Sequence, residues 1–235
     1  MKEMWTRIIS VVLIVIVARY VGGMFGKNIA EQNTEYEIEE QLQASNDYVS
    51  GTCTPTKYYS DFWNIEFQTT ENWEMYSDDE LGEMNKTLKA DTKTKSIEYY
   101  ERNNIDYDDQ MVEEMHKTMV NQYEMGALYY SNGEVVGEIT MQVSDALGFS
   151  FDEYVNTIYK NATSKPTYDV TSGEQTIVGE KHKTIKAEYT FDGVGMTSYA
   201  FFRYKDGIVC TFNCKYSSDN KEVLNSFLTQ ISTYN

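Results

Sequence analysis

The chain is poor in the residues from which metal and redox sites are made. Its 235 residues include only 3 Cys and 2 His. Cys53, Cys210 and Cys214 form no C-x-x-C pair, so zinc-ribbon and thioredoxin-type chemistry are excluded. Cys210 and Cys214 are expected on one face of a strand. Four residues of strand span about 13 Å, too far for a disulfide between them. Cys53 remains able to pair with either or to stay free, and the two strand thiols read as small buried apolar residues. Such sparing use of cysteine suits an exported protein that does not depend on disulfides.

The histidines add little chemistry. His116, beside Val112 and Val120, is expected to be a partly buried residue of a helix, and His182 to face solvent with Thr184 and Lys186. No H-E-x-x-H, no G-x-S-x-G and no phosphate-cradling glycine loop occurs. Asp106, Asp108 and Asp109 begin like a calcium loop but lack its Gly and closing Glu. No catalytic residue, metal ligand or cofactor is therefore assigned, and the chain is read as not an enzyme. A surface hydrolase with two carboxylates stays open as an alternative, because such pairing is spatial. A purely structural envelope protein is a second alternative.

Proline is scarce, with 2 residues (Pro55 and Pro166), which excludes a proline-rich linker. Positive charge is scarce too: 20 Lys+Arg stand against 37 Asp+Glu, a net charge of -17. That field repels phosphate backbones and anionic headgroups, so nucleic acid is not expected as a partner. What the chain does have is apolar and aromatic matter, 41% and 14% of residues, enough for a real core.

Long apolar runs are absent but for one. Ile8 to Ala18, extended past Arg19 to Phe25, is about long enough to cross a bilayer. Lys2 and Arg7 precede it, and Glu31, Glu35, Glu37, Glu39 and Glu40 follow, which favours the amino terminus inside and the bulk outside. An uncleaved anchor is the favoured reading. A cleaved signal peptide, with Val21-Gly22-Gly23 as the cleavage site, is its rival. Either way the chain is expected at, or exported across, a cell membrane, with a protein or envelope component as its partner. The short tail before the run leaves no room for an inner signalling domain.

Three segments follow: 1–27 as the anchor, 28–56 as an acidic connector, and 57–235 as one extracytoplasmic α+β domain. Trp63, Ile65 and Phe67 alternate with polar residues as a half-buried strand. Helices are expected over 78–90 and 108–122, the second carrying Met111, Met115 and Met119 in a core stripe. Asn132-Gly133, Asp192-Gly193 and Asp206-Gly207 mark tight hairpin turns. Ser150 with Glu153, and Asp219 with Glu222, are spaced as capping boxes, the first with Phe149 and Tyr154 as a staple. The strand from Met196 to Lys205 is apolar on both faces, so it belongs inside the sheet. On one of its faces, Tyr199 and Phe201 are the candidate ligand-binding residues, if the neighbouring strands leave that face open.

Tyr58-Tyr59, the stretch Phe62 to Phe67 and Asn72-Trp73 make an aromatic strand followed by a Trp. Ser150-Phe151-Asp152-Glu153-Tyr154 begins a central helix. Gly179-Glu180, Ala187-Glu188-Tyr189, Tyr204-Lys205-Asp206-Gly207 and a C-terminal helix close the chain. In this order the segments resemble the PsbP/Mog1-like α/β/α sandwich domains found in many exported bacterial proteins. The family's usual Pro before the Trp is missing, and Thr70-Glu71-Asn72 stands there instead. The resemblance implies an antiparallel meander flanked by helices, and a binding or accessory module more than an enzyme.

Overall fold

The computed structural model describes residues 48–102, 106–146 and 149–234. The apolar run from Ile8 to Phe25 lies outside them. Among the described residues no helix is long and apolar enough to cross a membrane. In chain order the elements are β1 (Thr52–Thr54), β2 (Lys57–Ser60), β3 (Ile65–Gln68), β4 (Trp73–Met75), α1 (Asp78–Arg102) and α2 (Asp109–Thr118). They continue with β5 (Asn121–Ser131), β6 (Glu134–Asp145), α3 (Phe151–Thr163), β7 (Asp169–Ile177) and β8 (Glu180–Phe191). The chain closes with β9 (Val194–Lys205), β10 (Ile208–Ser217), α4 (Glu222–Gln230) and β11 (Ile231–Ser232).

Seven strands form one antiparallel sheet in the order β4-β5-β6-β10-β9-β8-β7, and a smaller sheet runs β1-β2-β3-β11. The fold is α+β, as expected, and β9 lies inside the large sheet. Side chains alternate between sheet faces along each strand. On one face Ile139, Met141, Val143, Cys210, Phe212, Cys214 and Phe201 are buried under α4 and the small sheet, which contribute Phe227, Val223, Tyr58, Trp63, Ile65 and Phe67. The opposite face is covered by helices: α1 brings Leu81 and Leu88 against Tyr123 and Leu128 of β5, and α3 brings Val155 and Ile158 against Ile185 and Phe202.

Several expectations change. The domain begins before residue 57, because β1 pairs with β2 in the register Cys53↔Tyr58. Helix α1 continues past Ala90 to Arg102. Its inward stripe includes Thr92 and Ser96, both buried, whose hydroxyls donate to Leu88 O at 2.7 Å and Thr92 O at 3.0 Å. Self-satisfied hydroxyls take the place of the apolar residues by which a helix is read from sequence. Helix α2 stops at Thr118, and Asn121 and Gln122 already belong to β5. Val112 is wholly buried on α2, while the side chains of Met111 and Met115 lie outside the described residues.

The Ser150–Glu153 capping box forms as expected. The one expected at Asp219–Glu222 does not: α4 starts at Glu222 behind Lys221, which makes no side-chain cap. His182 is 3% exposed rather than solvated, because Thr184 and His182 point to the face under the small sheet. All three cysteines are free thiols.

Candidate functional site

Tyr199 and Phe201 stand side by side on β9, stacked with ring centroids 4.7 Å apart. They face α4, and the ring of Phe227 lies 6.1 Å from that of Phe201. Phe201 is 0% exposed, and Tyr199 is half-buried against the same core. On one side β10 presents Phe212 and Cys214 opposite them, and on the other β8 presents Thr184 and Lys186; Phe201 is covered by α4, while Tyr199 keeps part of its surface exposed between apolar and polar neighbours.

The cavity lies on the other face. Three cross-strand rows define its floor: Glu138–Lys215–Ser198–Ala187, Thr140–Asn213–Ala200–Ile185 and Gln142–Thr211–Phe202–Lys183. Each row is polar where it crosses β6 and β10; on β9 and β8 the middle row is apolar throughout, and the outer two keep Ser198 and Lys183. Helix α3 covers the apolar half with Tyr154, Ile158 and Ala162. Ala162, Ala187 and Ala200 are too small to fill the gap between helix and sheet, and a cavity of ≈ 70 Å³ remains. That is room for a few waters or a small organic group. Its more exposed side is framed by Tyr168 and Tyr189, whose rings stack at 4.7 Å, with Lys165 Nζ 4.8 Å from the Tyr168 ring.

The floor polar groups are mostly engaged with one another. Gln142 Nε2 donates to Asn121 Oδ1 at 2.9 Å and to Ser144 Oγ at 3.2 Å. Asn121 Nδ2 donates to Thr92 Oγ1 of α1 at 3.1 Å. Tyr154 reaches down from α3 to hydrogen-bond Ser144. Ser198 Oγ donates to Asn213 Oδ1 at 2.9 Å. Asn213 Nδ2 alone in this set has no hydrogen-bond partner, although Asn213 is 4% exposed. A buried amide donor without an acceptor costs about 1–3 kcal/mol.

Beside it lies an ionisable pair. Lys215 is 4% exposed and sits directly across from Glu138, which is 3% exposed. Burial, partly offset by Glu138, lowers the Lys215 ammonium to about 8. Burial likewise raises the Glu138 carboxyl, which accepts a short hydrogen bond from Tyr76 Oη. Tyr76 reaches it by lying across β5 at Gly126, where any Cβ would sit 2.0 Å from the Tyr76 ring.

A second buried carboxylate, Glu124, serves another purpose. It accepts from Tyr48 Oη, from Tyr58 Oη at 2.6 Å, from Gly51 N at 3.1 Å and from Gln122 Nε2 at 3.0 Å. These donors bind the segment before β1 to β5, and they leave the carboxylate no lone pair free for acid–base work. Among the described residues no three of His, Cys, Asp and Glu come together as a metal site would require.

None of the floor residues was singled out from sequence. Thr140, Gln142, Asn213 and Lys215 alternate in the sequence with the apolar residues of β6 and β10 and carry no motif. The available signal was length: β6 and β10 are long strands at the centre of the sheet, and polar residues in a centre covered on both faces are buried polar residues.

No family model and no curated protein matches this chain. Several solved structures are similar to it. LpqN, involved in cell envelope biogenesis of Mycobacterium tuberculosis, aligns with a TM-score of 0.43 and 9% identity over 82% of this chain and 95% of that one. The PsbP of the cyanobacterium Synechocystis aligns with a TM-score of 0.38 and 12% identity over 80% of this chain and 98% of that one. A Bacteroides thetaiotaomicron protein aligns with a TM-score of 0.38 and 9% identity over 78% of this chain and 50% of that one.

Proposed function

We propose that this chain is a binding module, held at a cell membrane or exported across it, whose domain takes a small ligand into the cavity beneath α3 and leaves it chemically unchanged. The observation that carries the reading is Asn213 Nδ2, a buried donor without a partner at the polar floor of a cavity that α3 roofs with Ile158 and Ala162. A ligand acceptor there would remove the desolvation cost. The reading without chemistry rests on the lining: Gln142, Asn121, Ser144 and Thr92 are tied into one hydrogen-bond network and Ser198 is held by Asn213 Oδ1, and both histidines lie elsewhere. His116 stands beside Ser96 of α1 at 3.3 Å, and His182 is on the opposite face. The membrane reading rests on the apolar run Ile8 to Phe25 and the charges on either side of it.

Native mass spectrometry of the full chain, purified from its own membranes, tests this. The wild type is expected to carry a small molecule that is recovered unchanged after long incubation. Ala187→Phe, which fills the cavity, is expected to lose it. An empty wild type, equal occupancy in the filled variant, or recovery of a converted product would each defeat the reading.

A further inference from the structure

We infer that the cavity beneath α3 takes an uncharged molecule with one oxygen at its head, a carbonyl or a hydroxyl, set against Asn213 Nδ2 and carrying a short apolar body under the helix. This rests on the reading of the cavity as a ligand site and names the class of ligand.

The charge of the head follows from what the floor can spare. Among the described residues Lys215 is the one charged side chain in the lining. It already has a partner, and it stands directly across from Glu138, whose carboxyl attracts it. A cationic head would bring a second positive charge beside the ammonium, with no carboxylate of the lining to receive it. An anionic head would compete with Glu138 for one ammonium. In both cases an ion leaves water for a covered cavity without a counter-charge of its own, which costs more than a neutral hydrogen bond returns.

The rest of the floor is neutral. Asn213 Nδ2 is a buried donor without a partner. Thr140 lies directly across from Asn213, and Thr211 lies two residues before it on β10, so the three share one face of the sheet. Both threonines bring hydroxyls to the lining. A carbonyl oxygen has two lone pairs, one for the amide and one for a threonine hydroxyl. An alcohol oxygen accepts from the amide and donates its proton to a threonine. Water fits this corner but not the whole cavity. Towards α3 the lining is Ile158, Ala162, Ala187 and Ala200, which offer no polar side-chain atom. A water there would lack the roughly two to four polar partners that hold a buried water. An oxygen at the floor on a hydrocarbon body suits both halves.

Pentan-2-one, pentan-1-ol, pentanoate and pentylamine share a short apolar body and differ in head group, and the last two are ionised at neutral pH. Ligand-observed NMR titrations of the full chain compare them, with Ala187→Phe as the blank for partition into detergent. The ketone or the alcohol is expected to bind at least about tenfold more tightly than either ion, and the tighter of the two identifies the oxygen. Asn213→Leu should weaken that probe by about tenfold. If the variant fails to fold, the wild type decides. The side-chain amide signal of Asn213 should then move on addition of the tighter neutral probe and stay in place with either ion. An ion that binds as tightly as the neutral probes overturns the inference while the cavity remains a ligand site. So does neutral binding that survives Asn213→Leu or leaves the amide signal unmoved. If no probe shows saturable binding that Ala187→Phe removes, the inference falls. The native mass spectrum then tells whether the cavity reading falls with it.

Discussion

Single residues carry the electrostatic character of this domain, and Lys215 is the clearest case. Its ordinary pKa is 10.5, and burial brings it to about 8 in the folded chain. Between those values the unfolded chain holds a proton at this site that the folded chain has released. Stability therefore rises with pH across that window, and the full penalty of burying the ammonium applies below about pH 8. The penalty is on the order of 3 kcal/mol. Lys215→Met keeps the apolar stem and removes the buried ammonium; because burial outweighs the attraction of Glu138 in the Lys215 shift, and Glu138 keeps its hydrogen bond from Tyr76 Oη, it is expected to be more stable than the wild type at pH 7. That advantage should shrink by pH 9.5, where wild-type Lys215 is neutral in the fold. Urea midpoints of both proteins at the two pH values measure it, and an advantage of equal size at both would refute the assignment. Nothing in the sequence marks Lys215 as buried, because cover on the second face of a strand depends on α3 and α1, helices far away in the chain.

Elements were legible wherever a local signal fixed them. The turns at Asn132-Gly133, Asp192-Gly193 and Asp206-Gly207 form as expected, each with both central residues at positive φ. The same geometry recurs between β7 and β8 at Val178-Gly179, where Val178 has φ +52°. A β-branched residue is rarely found in that region, so no turn signal was there to read. Val178 stays there because β7 and β8 pair along their whole length, Asp169↔Glu188 through Ile177↔Glu180, and that register leaves two residues for the turn. The hairpin dictates the turn against the preference of the residue. Val178→Asn supplies a residue that tolerates positive φ and gives up only a partly buried side chain packed at the edge of the core. It is expected to stabilise the domain by about 0.5–1 kcal/mol. A shift in thermal midpoint measures it, and a lower midpoint in the variant would mean that the lost apolar contact outweighs the relieved backbone. Helix α1 was lost from sequence beyond Ala90 for a different reason, since its buried Thr92 and Ser96 carry no apolar period.

At the scale of the molecule, the large sheet separates two interiors. The face under α4 and the small sheet is apolar at its centre and turns polar on β8 with His182, Thr184 and Lys186; it holds the aromatic pair Tyr199 and Phe201 that sequence offered as a ligand patch, Phe201 covered and Tyr199 partly exposed. The face under the helices is polar at its centre and keeps a cavity. Alternation along β9 revealed both faces, yet only the fold determines which of them is filled. The same global view moves the start of the domain. Composition puts a connector up to Thr56, but Tyr48 and Gly51 are bound to β5 through Glu124, a residue 7% exposed, and β1 pairs with β2. Burial and Glu124 both hold the Tyr48 and Tyr58 phenols well above their usual range, so both remain donors at any physiological pH. A fragment of residues 57–235 would strip Glu124 of two of its donors, Tyr48 Oη and Gly51 N, and remove the strand that pairs with β2. Compared with residues 48–235, it is expected to lose on the order of 2–3 kcal/mol in urea unfolding, the cost of a buried carboxylate left partly unsatisfied. Glu124→Gln in the longer fragment should itself lose part of that stability, because an amide accepts through one oxygen where the carboxylate used two. Equal urea midpoints for the two fragments would return the boundary to residue 57 and leave the Glu124 cluster without a structural role.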